Sequence, residues 1–139
     1  MVAPQQAFFN PLFSNNNPFL LKITGITGLT AGAPTDLGSL AVPAQMVRWK
    51  PGRVYVRATA AAATLALCTV GLYTQAAAAG TNIVAPVALT ALTAANTIQD
   101  LTSITPASSI TDLNIFVRMT VASGATGTLD FFVEIIPIP

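Results

Sequence analysis

Val54-Tyr55-Val56-Arg57-Ala58-Thr59 alternates along its length. In an extended chain successive side chains point to opposite faces, so Val54 and Val56 share one face while Tyr55, Arg57 and Thr59 share the other. The same pattern returns as Ile115-Phe116-Val117-Arg118-Met119-Thr120. Both stretches read aliphatic, aromatic, Val, Arg, any residue, Thr. Small residues follow each one, at 60–64 and 122–126, and a further apolar segment comes after. The repeat suggests two similar hairpins, either neighbours in one sheet or counterparts in two sheets.

The rest of the chain reads outward from these strands. Residues 113–121 place Ile115, Val117, Met119 and Val121 on one side. Residues 128–136 place Leu129, Phe131, Val133 and Ile135 inward, and Pro137 and Pro139 end the run, because proline cannot donate to a ladder. Residues 20–26 (LLKITGI) form the first strand, and 65–73 a longer one. Shorter strands are expected at 44–49, 83–87 and 101–105. Lys50-Pro51-Gly52 reads as a turn, since proline presets φ at its second position and glycine follows. Residues 38–43 are ambiguous, 76–82 form a low-complexity loop, and 88–95 suit a short helix or a strand. About eight short strands with Gly, Pro, Asn and Thr between them indicate an all-β fold, an antiparallel β-sandwich of jelly-roll-like form.

Residues 1–19 read as an irregular, extended N-terminal arm ahead of a single sandwich domain at 20–139. The arm holds Pro4, Pro11 and Pro18 and four asparagines, which oppose regular structure. It also carries Phe8, Phe9, Phe13 and Phe19. Aromatic side chains at this density suit a segment lying in an apolar groove, its own or a neighbour's, with each ring contributing ~1.5–3 kcal/mol on burial.

Composition narrows function. The chain has 139 residues, a length that suits one domain. There is no histidine, and charged residues make up 8% of the chain, against ~25% in an average soluble protein. A charge-poor surface favours association, which points to assembly, with a neutral secreted β-domain as the plainer reading. Net charge is +1, which gives no electrostatic case for direct nucleic-acid contact or for a membrane surface. Residues 58–99 carry no charge, but the most apolar part is short for a spanning helix and is interrupted by Thr59, Thr64, Thr69 and Gly71. No membrane span and no signal peptide are expected.

Catalytic and metal-binding groups are scarce. Without histidine there is no Ser-His-Asp or Cys-His arrangement and no imidazole zinc site. Five carboxylates remain: Asp36, Asp100, Asp112, Asp130 and Glu134. Asp130 and Glu134 share a strand face about 13 Å apart, too wide for a paired acid and base. Cys68 reads as a buried small hydrophobe. No catalytic residue, metal or cofactor is expected, and the chain reads as a non-enzymatic protein.

The candidate interaction residues are Phe8, Phe9 and Phe13 on the arm, Arg48, Trp49, Lys50 and Arg53 in a basic run, and Tyr55, Arg57, Phe116, Arg118, Phe132 and Glu134 on outward strand faces. Aromatics and arginine are enriched at interfaces. Cross-strand Arg–carboxylate pairs also suit a solvated sheet, at ~0.2–1 kcal/mol each, with Arg118 beside Glu134 as one such pair. Trp49 in its basic run also suits base stacking, against a salt-bridged turn docked on an acidic neighbour.

In its arm, in 53–59, in its Ala/Thr-rich middle and in 115–136, the chain resembles the small jelly-roll decoration, or cement, proteins that coat the capsids of tailed bacteriophages, including the type carried by a Bordetella phage. The resemblance covers most of the chain. It implies a structural protein on the outer surface of the virion that binds the major capsid protein, bridges neighbouring capsid subunits and self-associates, with a dimer favoured. The alternative is a carbohydrate- or receptor-binding sandwich module of a phage tail or secreted protein, with Trp49 and with Tyr73 beside Gln75 as its candidate platforms. A pilus or surface-layer subunit is a third reading.

Overall fold

The computed structural model describes residues 18–61, 65–105 and 109–139. Eight strands follow one another: β1 (Phe19–Ile26), β2 (Thr35–Ala41), β3 (Trp49–Ala61), β4 (Thr69–Tyr73), β5 (Asn82–Ala88), β6 (Ile98–Asp100), β7 (Asn114–Val121) and β8 (Gly127–Pro137). They form two four-stranded antiparallel sheets, in the orders β1-β8-β3-β6 and β2-β7-β4-β5. This is a β-sandwich with jelly-roll strand order.

The core lies between the sheets and is filled by alternate residues of the central strands. Val54, Val56 and Ala58 of β3 face Ile115, Val117 and Met119 of β7 across it, and Leu129, Phe131, Val133 and Ile135 of β8 complete the inner face of the first sheet. All are buried. Removing a side chain the size of Phe131 from water contributes about 1.5–3 kcal/mol. Val121, expected inward, is half exposed, because the register of β7 with β4 shifts between Thr69 and Val70 and the extra residue takes Val121 out of the inward alternation.

The two echoing stretches lie in opposite sheets, as counterparts and not as neighbours. Each occupies an interior strand, and the likeness extends to their contacts. Arg57 stands directly opposite Asp130 and Arg118 directly opposite Asp36, with ion pairs of 2.9 and 2.8 Å. The Thr59 hydroxyl donates to the Thr128 carbonyl at 3.2 Å, and the Thr120 hydroxyl to the Thr69 carbonyl at 3.3 Å.

Several local expectations are corrected. The strand that follows β3 and the strand that follows β7 each lie in the opposite sheet, so neither pair forms a hairpin. Among the described residues β4 and β5 are the one pair of consecutive strands that are also sheet neighbours. Lys50-Pro51-Gly52 is not a turn. It lies within β3, where the register with β8 shifts between Pro51 and Val54, so the proline sits at a bulge. No strand runs over 44–48, and Trp49 is the first residue of β3. The long strand expected at 65–73 begins only at Thr69, because Cys68 N–H closes a turn onto the Leu65 carbonyl at 2.8 Å. The short strand expected at 101–105 is replaced by β6, with Ile104 making an isolated bridge to Val84. Pro86 lies in β5, an edge strand, where a missing donor is tolerated.

Candidate interaction face

Charge is distributed unevenly over the sandwich. Four of the six basic side chains (Lys22, Lys50, Arg53, Arg57) and three of the five acidic ones (Asp100, Asp130, Glu134) belong to outward positions of the β1-β8-β3-β6 sheet. The outer face of the β2-β7-β4-β5 sheet carries Asp36 and Arg118 as its charged residues.

At the centre of the charged face, Tyr55 and Phe132 are cross-strand partners. Their rings stack with centroids 4.6 Å apart and planes 8° from parallel. The Arg53 guanidinium lies 4.6 Å from the Tyr55 centroid and that of Arg57 5.8 Å from the Phe132 centroid. Such cation–π contacts contribute about 0.5–1 kcal/mol each at exposed sites. The rings therefore spend their faces on one another and on the two arginines.

The carboxylates of this face are also engaged. Arg53 Nε donates to Asp100 Oδ1 at 2.7 Å, holding the Asp100 carboxyl below its usual range and the Arg53 guanidinium above its own. Arg57 Nη2 donates to Asp130 Oδ2 at 2.9 Å, and the Gly25 amide donates to Asp130 Oδ1 at 2.9 Å. The Asp130 carboxylate is thereby satisfied although the residue is buried. Glu134 accepts the Arg53 amide at 3.4 Å and fills the space over Gly52, where a Cβ would lie 2.2 Å from Glu134 Oε1. Among the described residues Lys22 has no carboxylate partner.

The opposite face is built differently. A compact loop at 74–81 contains one 3-10 turn, Ala76–Ala78, and closes with the Thr74 amide donating to the Thr81 carbonyl and the Thr81 amide donating to Thr74 Oγ1. Ala77 and Ala78 both have positive φ, an unfavourable conformation for alanine. The Ala77 amide donates to Asp36 Oδ2 at 2.9 Å, tying the loop to the Asp36–Arg118 pair. Burial raises the Asp36 pKa, but the Ala77 amide and the Arg118 guanidinium outweigh it and hold the carboxyl below its ordinary value.

The candidate residues therefore fall into separate groups. Arg53, Tyr55, Arg57, Phe132 and Glu134 are brought together, with Lys50 farther along the same face. Phe116 and Arg118 lie on the other sheet, so Arg118 is not beside Glu134; its partner is Asp36. Trp49 is not a surface platform. Its side chain is fully buried, and its indole N–H donates to the Asp112 carbonyl at 2.9 Å, which satisfies the one polar atom of the ring. Tyr73, the other platform of the sugar-binding alternative, is buried as well. Arg48 is separate again, donating to the Pro139 carbonyl. Phe8, Phe9 and Phe13 lie outside the described residues. Sequence reading passed over Lys22 and Asp100 as members of the face. Alternation in 20–26 would have placed Lys22 outward, but its pairing with Phe132 of β8 has no sequence signal.

An open cleft of about 460 Å³ at one end of the sandwich is lined by Thr27, Gly28, Leu29, Thr30, Ala60, Thr126, Gly127 and Thr128, with no titratable group among them. Cys68 is buried and its thiol is pushed up to about 11 by desolvation, which disfavours the reactive thiolate. No cluster of three or more His, Cys, Asp or Glu suited to a metal occurs among the described residues. Nor, among them, is any helix long and apolar enough to cross a membrane. Comparisons with family models, curated proteins and solved structures gave no match to this chain.

Proposed function

We propose that the protein is a non-enzymatic structural subunit that binds the outer surface of a viral capsid and stabilises it by bridging neighbouring copies of the major capsid protein. Its place is the outside of the virion, and it self-associates there, as a dimer. The observation that carries the reading is the segregation of charge. One broad sheet face gathers most of the ionic groups around a stacked aromatic pair, while the rest of a charge-poor surface is left to neutral contacts. Asp36, Asp100, Asp130 and Glu134 all accept hydrogen bonds from arginine side chains or backbone amides. That arrangement suits a recognition surface better than acid–base chemistry. Individually weak contacts are sufficient on a shell, because attachment through several linked sites multiplies their effect.

The test is co-sedimentation of the full-length chain with empty shells of tailed bacteriophages stripped of their own decoration proteins. The expected result is saturable binding at a fixed ratio to the major capsid protein. A chain that stays in the supernatant with every shell tried, at concentrations where it remains folded, overturns the reading.

A further inference from the structure

The geometry points to an isologous, face-to-face contact between two copies of this chain through the outer surface of the β1-β8-β3-β6 sheet. The two-fold axis lies in the interface, along the strands. This rests on the self-association in the proposed function and adds the surface and the register. It does not depend on the capsid.

The argument comes from the rows that cross the sheet. In the middle row, Lys22 of β1 stands opposite Phe132 of β8, Phe132 opposite Tyr55 of β3, and Tyr55 opposite Asp100 of β6. The row begins with a cation, passes two rings and ends with an anion. Its ends lie on the order of 14 Å apart, three inter-strand spacings. The flanking rows are also polar. Asp130 of β8 stands opposite Arg57 of β3 in one, and Glu134 of β8 accepts the Arg53 amide of β3 in the other.

Two copies can meet on this face with their rows running in the same direction or in opposite directions. The same direction sets Lys22 against Lys22 and Asp100 against Asp100. A two-fold axis along the strands reverses each row, so that Lys22 meets the second copy's Asp100 and the ring pair meets itself in exchanged order. In the flanking rows Arg57 and Arg53 then come over the second copy's acidic strand β8. Opposite charges thus face each other in all three rows, and a single axis direction achieves it. Lys22 is exposed and gains its first ion-pair partner in this way. Asp100 is half exposed at 50% while bound to Arg53, which leaves its carboxylate able to accept a second donor. Leu20 and Ile98, each 51% exposed on the two edge strands, add apolar area at diagonal corners of the same face. Two like sheets stack naturally with strands nearly aligned, since both carry the same twist.

The axis makes a distinctive demand on charge reversal, because each Lys22–Asp100 contact occurs twice per dimer. Lys22→Glu alone sets two anions together at both contacts, and Asp100→Lys alone sets two cations together. A mixture of the two variants restores opposite charges at both. Sedimentation equilibrium on the wild type, each variant and their equimolar mixture is the test, with circular dichroism to confirm that each is folded. The dimer dissociation constant is expected to rise at least about tenfold in each variant and to return towards the wild-type value on mixing, as a heterodimer. A wild-type chain that stays monomeric overturns the self-association itself. A dimer that both reversals leave unchanged, or that mixing does not rescue, overturns this face and register alone.

Discussion

The two sheets carry the same short pattern on an interior strand and put it to different ends. On β3 the outward Tyr55 and Arg57 join a second aromatic, a second arginine and three carboxylates in an open layer. On β7 the outward Phe116 and Arg118 lie near a strapping loop, and among the described residues the one charged partner of Arg118 is Asp36. The Arg118–Asp36 pair is 15% and 27% exposed at its two side chains, whereas Arg53–Asp100 is 60% and 50% exposed. An ion pair held away from water serves to fix a structure, and one in water serves mainly to pattern a surface. The lesson is that a strand motif sets which side chains point outward, while the neighbouring elements decide whether outward means solvent.

The largest difference should appear on removing the two arginines. Arg118→Ala leaves Asp36 with the Ala77 amide as its remaining donor and loosens the 74–81 loop. A loss of about 1.5–3 kcal/mol is expected in urea unfolding, the range for a hydrogen bond to a charged group. Arg53→Ala on the open face should cost less, on the scale of its exposed cation–π contact with Tyr55. Equal effects of the two substitutions would erase the contrast between the sheets.

Glycine positions sharpen it next. Gly71 lies in β4, and a Cβ there would come within 3.0 Å of the Val84 carbonyl oxygen and 3.1 Å of the Tyr73 ring. Backbone cannot step aside, so Gly71→Ala should cost about 1–3 kcal/mol through overpacking. At Gly52 the clashing atom is the end of the Glu134 side chain, which can rotate away. Gly52→Ala should therefore cost less than about 1 kcal/mol, and a thermal melt of the two variants side by side decides the order.

Acid sensitivity should show the smallest effect. The Asp36 carboxyl titrates below its ordinary value of 3.8 in the folded protein. Its contribution is fully present above the unfolded value and is lost as pH falls through the folded one. Wild-type stability should thus decline below about pH 4, and Asp36→Asn should be less stable at neutral pH with a flatter acid limb. Parallel acid limbs for the two proteins would mean that Asp36 has no part in the decline.

Much of the sandwich is legible from alternation alone. The inward sets of β3, β7 and β8 follow from period two, because a strand with one buried face cannot slip by a residue without exposing its core side chains. What alternation does not encode is which strand lies beside which. Residues 60–64 and 122–126 look like hairpin turns because they are short and small, yet in the jelly-roll order the strands before and after each of them belong to different sheets. Placing Arg118 beside Glu134 failed for the same reason. Trp49 was read by its charged neighbours Arg48 and Lys50, whereas pleating points it away from both and into the core. The charged face was half legible: Tyr55, Arg57, Phe132 and Glu134 follow from their own strands, but Lys22 and Asp100 join only through edge-strand register.

The burial of Trp49 has an optical consequence. It is the sole tryptophan, sealed inside the sandwich with its N–H already bonded, while Tyr55 is one of two tyrosines and stands on the charged face. Indole emission therefore reports on whether the core is intact and takes no direct part in contacts at the surface. The same sample carries a separate chromophore among the residues that would meet a partner. Unfolding and docking, which are easily confused in an assembling protein, are written in different colours in this one.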